Sequence, residues 1–128
     1  MAGYSATPLP AKLGLKPGHR VRLVGDPPGF RASIGVIEEA EDALDLAVVL
    51  ADRSEALLAA VADVRPRLRP SASLWIGWPK KASRRPTDIT EDRLREWLLP
   101  TGLVDTKVCA IDEVWSGLRF VLRRELRA

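Results

Sequence analysis

Two uninterrupted apolar runs, residues 46–50 (LAVVL) and 74–78 (LWIGW), constrain the fold of this chain more than any other feature. Such runs are typical of strands covered on both faces, as in the parallel sheets of α/β proteins. The segment between them has apolar residues at helical spacing, namely Leu57, Val61, Val64 and Leu68. Asp52 and Glu55 are spaced as a capping box at its start, and Pro66 predicts its end. We therefore predict a strand, a crossover helix and a parallel strand, joined in the right-handed sense.

The flanking segments extend this unit into a larger sheet. Val21, Leu23 and Val24 predict a first strand, and Thr90 is placed to cap a helix after the second apolar run. Residues 103–112 and 117–124 alternate between polar and apolar, with a loop at 112–116 of hairpin length. The sequence thus predicts a mostly parallel α/β sheet that ends in a C-terminal antiparallel hairpin.

Length and composition favour one domain covering residues 1–128, in which residues 1–18 form an N-terminal extension with a short helix. A chain of 128 residues with 46% hydrophobic content can bury one core. The single cysteine, Cys109, allows no internal disulfide. No uncharged run approaches the roughly 20 residues of a membrane span, and the N-terminal residues lack the pattern of a signal peptide. We expect a soluble, cytoplasmic protein.

Polar side chains follow the carboxyl ends of two predicted parallel strands. Asp26 follows the first strand, whereas Lys80, Lys81 and Ser83 follow the second apolar run. Open α/β sheets bind their ligands at this edge, so these four residues are the candidate ligand-binding site. A lysine could bind a phosphate or carboxylate, and Asp26 could act as a base. No paired carboxylates or activated nucleophile accompany them, so the sequence assigns no catalytic residue and no metal site.

The only histidine is expected to have a surface role, and the only cysteine is expected to pack as a hydrophobic residue. His19 precedes the first strand and should therefore lie at the opposite edge of the sheet. Cys109 lies in a predicted strand without a neighbouring base, so it is interpreted as a small hydrophobic residue and not as a nucleophile. Trp75 and Trp78 are large apolar residues in and after a buried run and are predicted to pack in the core.

Charge is divided unevenly along the chain. Residues 1–64 contain nine acidic and six basic residues, whereas residues 65–128 contain eight acidic and fourteen basic ones. Basic residues between positions 65 and 85 could form one surface: Arg65, Arg67, Arg69, Lys80, Lys81, Arg84 and Arg85. Nucleic-acid sites combine such charge with aromatic residues or a known module, and neither is present here. Two solvated faces of opposite charge are the simpler interpretation.

Several motifs resemble known families. The order of strands and helices, carried by residues 46–50, 74–80, 101–104 and 117–121, is similar to the C-terminal half of class I S-adenosylmethionine (SAM)-dependent methyltransferases. The chain more closely resembles a small bacterial family catalogued as a domain of unknown function, DUF-3052. The matching segments are Gly3-Tyr4-Ser5, Thr7 to Pro10, Lys12 to Gly14, Trp78 to Ser83, Val108 to Asp112 and Trp115 to Leu118. This resemblance implies a three-layer, Rossmann-like fold with a reduced N-terminal half.

The parts of a methyltransferase that bind its cofactor depart from the expected pattern. The glycine-rich loop is replaced by residues 25–30, in which Pro27 and Pro28 have no N–H to offer. Glu38 and Glu39 follow at about half the spacing expected of a ribose-binding carboxylate, and a solvated acidic loop explains them more simply. We therefore expect the chain to bind no cofactor. SAM is the cofactor whose binding should be tested.

Three functions are compatible with these features. The first is a non-catalytic binding or interaction module that has lost the usual cofactor site. The second is a small enzyme acting on an anionic small molecule, or a reduced SAM-dependent methyltransferase. The third is nucleic-acid binding through the basic residues 65–85, ranked last. We expect the partner to be a small anionic ligand or a protein. We expect no association with a membrane, and the sequence leaves open whether the chain forms a homo-oligomer.

Overall fold

The computed structural model describes residues 8–25, 27, 29–35 and 37–127. The strands within these ranges are β1 (Arg20–Val24), β2 (Glu38–Glu39), β3 (Leu44–Leu50), β4 (Leu68–Pro79), β5 (Leu103–Ala110) and β6 (Trp115–Leu122). The α-helices are α1 (Leu9–Leu13), α2 (Phe30–Ile34), α3 (Ser54–Val64) and α4 (Glu91–Leu98). The strands form one sheet in the order β2-β1-β3-β4-β6-β5.

The central pair of the sheet confirms the predicted strand-helix-strand unit. β3 and β4 are adjacent and parallel, with Val48 opposite Trp75, and α3 connects them. β1 pairs in parallel with β3 on one side and with β2 on the other. β6 pairs antiparallel with both β4 and β5, which confirms the C-terminal hairpin.

Each face of the sheet carries its own apolar cluster, which gives three layers. On one face, α3 and α4 contribute buried residues such as Leu57 and Leu94. On the other face, the short helices α1 and α2 contribute Leu13 and Phe30, which pack in one cluster with Trp75 of β4. The predicted α/β class is therefore confirmed, with helices on both faces of a six-stranded mixed sheet.

Trp75 connects one of these layers to the sheet. Its side chain is fully buried, and its indole N–H donates a 3.0 Å hydrogen bond to the carbonyl oxygen of Leu13. Trp78 is buried in the cluster on the opposite face. Both tryptophans are thus core residues, as predicted.

The two longer helices begin in different ways. Thr90 caps α4 as predicted, because its hydroxyl oxygen accepts a 3.1 Å hydrogen bond from the backbone N–H of Arg93. The predicted capping box of α3 is wrong. That helix begins at Ser54 after an N-cap residue, Arg53, whose side chain makes no capping hydrogen bond. A carboxylate from the loop before α4, that of Asp88, binds Ser54 instead.

β4 begins at Leu68, six residues before the apolar run 74–78 from which this strand was predicted. α3 ends at Val64, as Pro66 indicates, and a single 3-10 turn leads directly into the strand. Leu68, predicted to lie on the helix, is a strand residue opposite Leu44 of β3. The exposed residues 69–71 at this end of the strand are polar or proline, so they carry no hydrophobic pattern that could reveal it.

The hairpin also differs in detail from its prediction. β6 begins at Trp115, so the connecting loop is shorter than the predicted 112–116. β5 contains a register shift between Asp105 and Lys107, which leaves Thr106 as an extra residue. Simple alternation along residues 103–112 would place Val108 on the same face as Val104. Because of the extra residue, the side chains after the bulge lie on the opposite face from the one that alternation predicts. The side chain of Val108 is accordingly 51% exposed.

Among the described residues, no helix combines the length and the apolar character needed to cross a bilayer.

Candidate functional site

Three of the four predicted ligand-binding residues lie in or next to one turn that follows β4. Asp26 lies outside the described residues. Lys80 follows β4 directly, and a 3-10 turn then contains Lys81 and Ser83. The hydroxyl of Ser83 donates to the carbonyl oxygen of Lys80 (2.7 Å) and accepts from the backbone N–H of Arg85 (3.3 Å). Ser83 therefore stabilises the turn, because both hydrogen bonds of its hydroxyl are made to the turn and the residue after it.

A cavity does lie at the predicted edge of the sheet, but other residues line it. Its volume is about 510 Å³, and it is formed by the loop after β3, the first turn of α3 and the loop before α4. The polar side chains that line it are those of Asp52, Arg53, Ser54, Glu55, Thr87 and Asp88. Neither lysine nor Ser83 is among the residues that line this cavity, and the four predicted ligand-binding residues remain a prediction.

The contact between Asp88 and Ser54 holds one wall of this cavity in place. One carboxylate oxygen of Asp88 accepts from the backbone N–H of Ser54 at 2.7 Å, and the other accepts from the Ser54 hydroxyl. These two hydrogen bonds lower the pKa of Asp88, the side-chain bond having the larger effect. The first turn of a helix favours a carboxylate at this position. Asp88 thus caps α3 from a segment 34 residues away.

Arg85 joins the same loop to two other elements. Its guanidinium lies 3.9 Å from the carboxylate of Asp52 and 5.4 Å from the ring centre of Trp115. The backbone N–H of Lys80 also donates to the carbonyl oxygen of Val114 at 2.7 Å. The loop between β4 and α4 is therefore attached to the loop after β3 and to the C-terminal hairpin.

The cavity is lined by carboxylates and by one serine hydroxyl, which has no histidine beside it. The Ser54 hydroxyl is bound to Asp88, and no histidine lines the cavity to activate it. His19 lies before β1, where its Nδ1 accepts a 3.3 Å hydrogen bond from the backbone N–H of Lys16. In the ranges that the structure describes, no group of three or more His, Cys, Asp or Glu residues is placed to hold a metal ion.

Cys109 is partly buried in β5. Burial raises the pKa of its thiol, an effect opposed by the nearby charges of Lys12 and Lys107. A raised pKa keeps the sulfur protonated at neutral pH and is typical of an unreactive cysteine. The interpretation of Cys109 as a small hydrophobic residue is consistent with this environment.

The strand that would bind the cofactor ribose in a Rossmann-like protein is very short. β2 consists of Glu38 and Glu39 alone, which lie opposite Arg20 and Val21 near the beginning of β1. They belong to a strand and not to the predicted acidic loop, and both are exposed. Since β1 continues to Val24, neither carboxylate reaches the carboxyl edge, where a ribose would be bound.

The turn after β1 lies directly against the end of β3. Gly25 has a φ angle of 83°, and a Cβ atom at this position would overlap the carbonyl oxygen of Leu50. Gly25 directly follows β1, and this close approach of two backbones requires a glycine at that position. Within the described residues, the groups at β1 and β2 do not fit SAM, because neither carboxylate of β2 reaches the carboxyl edge of the sheet.

The predicted basic surface is divided between two opposite edges of the sheet. Arg67 and Arg69 lie where β4 begins, whereas Lys80, Lys81 and Arg85 lie beyond its end, twelve strand residues away. The first two are paired with carboxylates of the acidic segment, Arg67 with Asp42 at 3.2 Å and Arg69 with Asp45 at 3.1 Å. The two oppositely charged segments of the sequence therefore meet, and residues 65–85 do not form one continuous basic face.

Sequence reasoning missed the residues around the cavity for a simple reason. Asp88 and Ser54 are far apart in the sequence, so no local pattern connects them. The only available signal was the polar Pro86-Thr87-Asp88 segment ahead of the Thr90 cap, in a loop that follows a predicted parallel strand.

The chain has the α/β fold of a methyltransferase-like protein, as comparisons with solved structures support. LepI in complex with SAM is similar at 14% sequence identity with a TM-score of 0.53, over 90% of this chain and 39% of that chain. A LepI variant in complex with SAH and a substrate analogue gives a TM-score of 0.57 with the same identity and coverage. A tRNA methyltransferase of B. subtilis, TrmK, gives 0.49 at 12% identity, over 90% of this chain and 54% of that chain.

These likenesses extend to the fold alone. No protein-family model and no curated protein sequence matches the chain. The chain spans between 39% and 54% of the length of the three solved proteins described above.

Proposed function

We propose that this chain is a non-catalytic binding or interaction module with a methyltransferase-like fold that has lost the usual cofactor site. The observation that supports this most strongly is the position of β2. Its two carboxylates, Glu38 and Glu39, lie level with Arg20 and Val21, four and three residues short of the end of β1 at Val24. Among the described residues, β2 therefore offers no carboxylate to a ribose at the carboxyl edge.

The environment of Glu39 supports the same proposal. Its carboxylate forms a 2.9 Å ion pair with Arg31 of α2. A ribose-binding carboxylate must offer its oxygens to hydroxyl groups of the ligand, whereas one oxygen of Glu39 is engaged by a guanidinium. The carboxylate nearest to the expected ribose-binding position, that of Glu39, thus forms an ion pair within the protein.

The second candidate, a small enzyme or a reduced methyltransferase, is favoured by one observation: the cavity at the carboxyl edge. Its lining includes the carboxylates of Asp52, Glu55 and Asp88 and a single basic residue, Arg53. This excess of negative charge opposes the binding of an anionic substrate. A cavity of this kind would better suit a neutral or cationic molecule.

Isothermal titration of the protein with SAM and, separately, with SAH distinguishes the two candidates. The first proposal predicts no saturable heat at micromolar concentrations of either compound. Saturable binding in that range would contradict it and would support a reduced methyltransferase. In that case the Asp52→Asn variant, with Asp63→Asn as a control away from the cavity, would report whether the cavity takes part.

Two further parts of the proposal concern the organisation of the chain. We propose that residues 1–128 form one cytosolic, Rossmann-like domain, which limited proteolysis would test by the absence of an early stable fragment. We also propose membership of the DUF-3052 family, on the basis of motifs such as residues 78–83. An alignment in which relatives lack Trp78-Pro79-Lys80-Lys81 would contradict it.

The partner is a protein or a small anionic ligand, and nucleic acid is not expected because Arg67 and Arg69 are already paired.

A further inference from the structure

A second cavity lies at the opposite edge of the sheet, where β1 begins. Its volume is about 500 Å³, and it is formed by the end of α1, the turn before β1, the end of α2 and the beginning of β2. Small-molecule sites usually have volumes of about 300–1,000 Å³ and mostly apolar walls. The walls of this amino-edge cavity fit that description, because most of its side chains are apolar: Pro10, Leu15, Pro17, Ile34 and Ile37.

The short helices on this face leave room for the cavity. α1 and α2 have five residues each, so at 1.5 Å per residue each is only about 7.5 Å long. Ile34, the last residue of α2, is buried and belongs to the same apolar cluster as Leu13 and Trp75. Leu15 and Ile37 are half-buried. The cavity therefore has an apolar inner wall that is continuous with the core.

The imidazole of His19 is the half-buried polar group in this lining, and the turn before β1 holds it in place. Its Nδ1 accepts a 3.3 Å hydrogen bond from the backbone N–H of Lys16, and the backbone N–H of His19 donates to the carbonyl oxygen of Lys16 at 3.2 Å. Because Nδ1 is an acceptor, the proton of the neutral ring is on Nε2. Within the described ranges, Nε2 has no hydrogen-bond partner. His19 thus contributes one free N–H donor to an apolar cavity.

The two charged side chains of the lining have opposite signs. Lys16 and Glu38 are both exposed, and neither side chain has a partner in the part of the chain that the structure describes. Their charges cancel and water screens both, so the rim favours neither an anion nor a cation. The directional contact is therefore the one to His19, which suits an uncharged acceptor such as a carbonyl oxygen.

We propose that the amino-edge cavity binds an uncharged, largely apolar organic molecule that carries a carbonyl oxygen. The apolar part contacts Leu15, Ile34 and Ile37, and the carbonyl oxygen accepts a hydrogen bond from Nε2 of His19. The Asp52 cavity follows the end of β3, whereas this one lies where the parallel strand β1 begins. The proposal is therefore independent of whether SAM binds, and the two tests can fail separately.

Four compounds with one benzene ring each test this proposal: toluene, acetophenone, benzoate and benzylamine. Toluene has no acceptor, acetophenone has a neutral carbonyl oxygen, and the other two carry opposite charges. One neutral hydrogen bond contributes about three- to tenfold in affinity, so acetophenone should bind more tightly than toluene by that factor. It should also bind more tightly than either charged compound, since the rim has no net charge to attract them.

Isoleucine methyl groups report the binding by NMR. The chain has five isoleucines, of which Ile34 and Ile37 line the cavity. Acetophenone should shift these two methyl signals saturably, with a dissociation constant in roughly the millimolar range expected of a ligand of about nine non-hydrogen atoms. The methyl signals of Ile76 and Ile89 should stay in place, because both residues lie in the cluster on the other face of the sheet.

His19→Phe separates the hydrogen bond from a structural role of this residue. The substitution keeps an aromatic ring and removes the donor. It should abolish the preference for acetophenone over toluene while changing the affinity for toluene by less than about twofold. A loss of equal size for both compounds would indicate that His19 only maintains the shape of the turn, and would overturn the proposal.

Ile37→Trp places a larger side chain in the wall of the cavity and should abolish saturable binding of acetophenone. The matched control is Leu58→Trp, at a partly exposed residue of α3 on the other side of the sheet, which should leave the affinity within about twofold. If Ile37→Trp does not fold by circular dichroism, His19→Phe decides alone. Absence of saturable shifts at Ile34 and Ile37, or tighter binding of benzoate or benzylamine than of acetophenone, would overturn the proposal.

Discussion

Replacing Trp75 with phenylalanine should destabilise the protein mainly by releasing α1 from the sheet. The substitution removes the 3.0 Å hydrogen bond from the indole N–H and leaves the carbonyl oxygen of Leu13 without a partner in the core. An unsatisfied buried acceptor costs about 1–3 kcal/mol. The smaller ring also leaves a gap at a fully buried position, which adds about 1 kcal/mol.

Together these terms predict a loss of about 2–4 kcal/mol, or about 10 °C in the melting temperature for a chain of this size. Urea unfolding followed by far-UV circular dichroism measures this loss without relying on tryptophan fluorescence. The control is Trp97→Phe, because Trp97 is only partly buried on the other face. Hydrogen exchange of the α1 amides should also accelerate more in Trp75→Phe than that of the α3 amides. Equal losses in the two variants, or no change in α1 exchange, would refute this account of how α1 is held.

Two other substitutions test the carboxyl edge of the sheet. Gly25→Ala should cost more than about 2 kcal/mol, because the added Cβ overlaps the carbonyl oxygen of Leu50 at a positive φ. Gly29→Ala, with a similar φ of 84° and nothing within 4 Å of the added atom, should cost only about 1–2 kcal/mol; equal costs in urea unfolding would contradict the backbone contact. Asp88 has a lowered pKa in the folded protein, so its contact with Ser54 stabilises the fold above the ordinary pKa of 3.8 and is lost as the pH falls through the lowered value. Asp88→Asn should therefore reduce stability at pH 6 and make the stability less dependent on pH between 5 and 3, and an unchanged slope would count against this contact.

The sequence predicted the centre of the sheet better than its edges, for a physical reason. Residues 46–50 and 74–78 are covered on both faces, so nearly every side chain there reports burial. The first half of β4 is exposed, and in β5 the extra residue Thr106 reverses the faces beyond it. No alternation of polar and apolar residues can reveal a bulge, because the bulge is defined by the partner strand.

The residues around the cavity were harder to predict than the fold. Strand order predicted one edge at which polar residues meet, because parallel strands bring their carboxyl ends together, and a cavity lies at that edge. The residues lining it depended on contacts such as Asp88 with Ser54, which bring distant parts of the chain together. The division of the basic residues also depended on the length of β4, which the polar residues 69–71 concealed.

The two borders of the sheet have unpaired backbone groups that another molecule's strand could use as a template for aggregation. Both are protected by features already present in the fold. At one border, β2 is only two residues long and carries two negative charges. At the other, Thr106 distorts β5 and Lys107 places a positive charge beside the distortion. Short length, charge and irregularity are the devices by which natural sheets avoid growing edge to edge, and the two borders of this sheet carry all three.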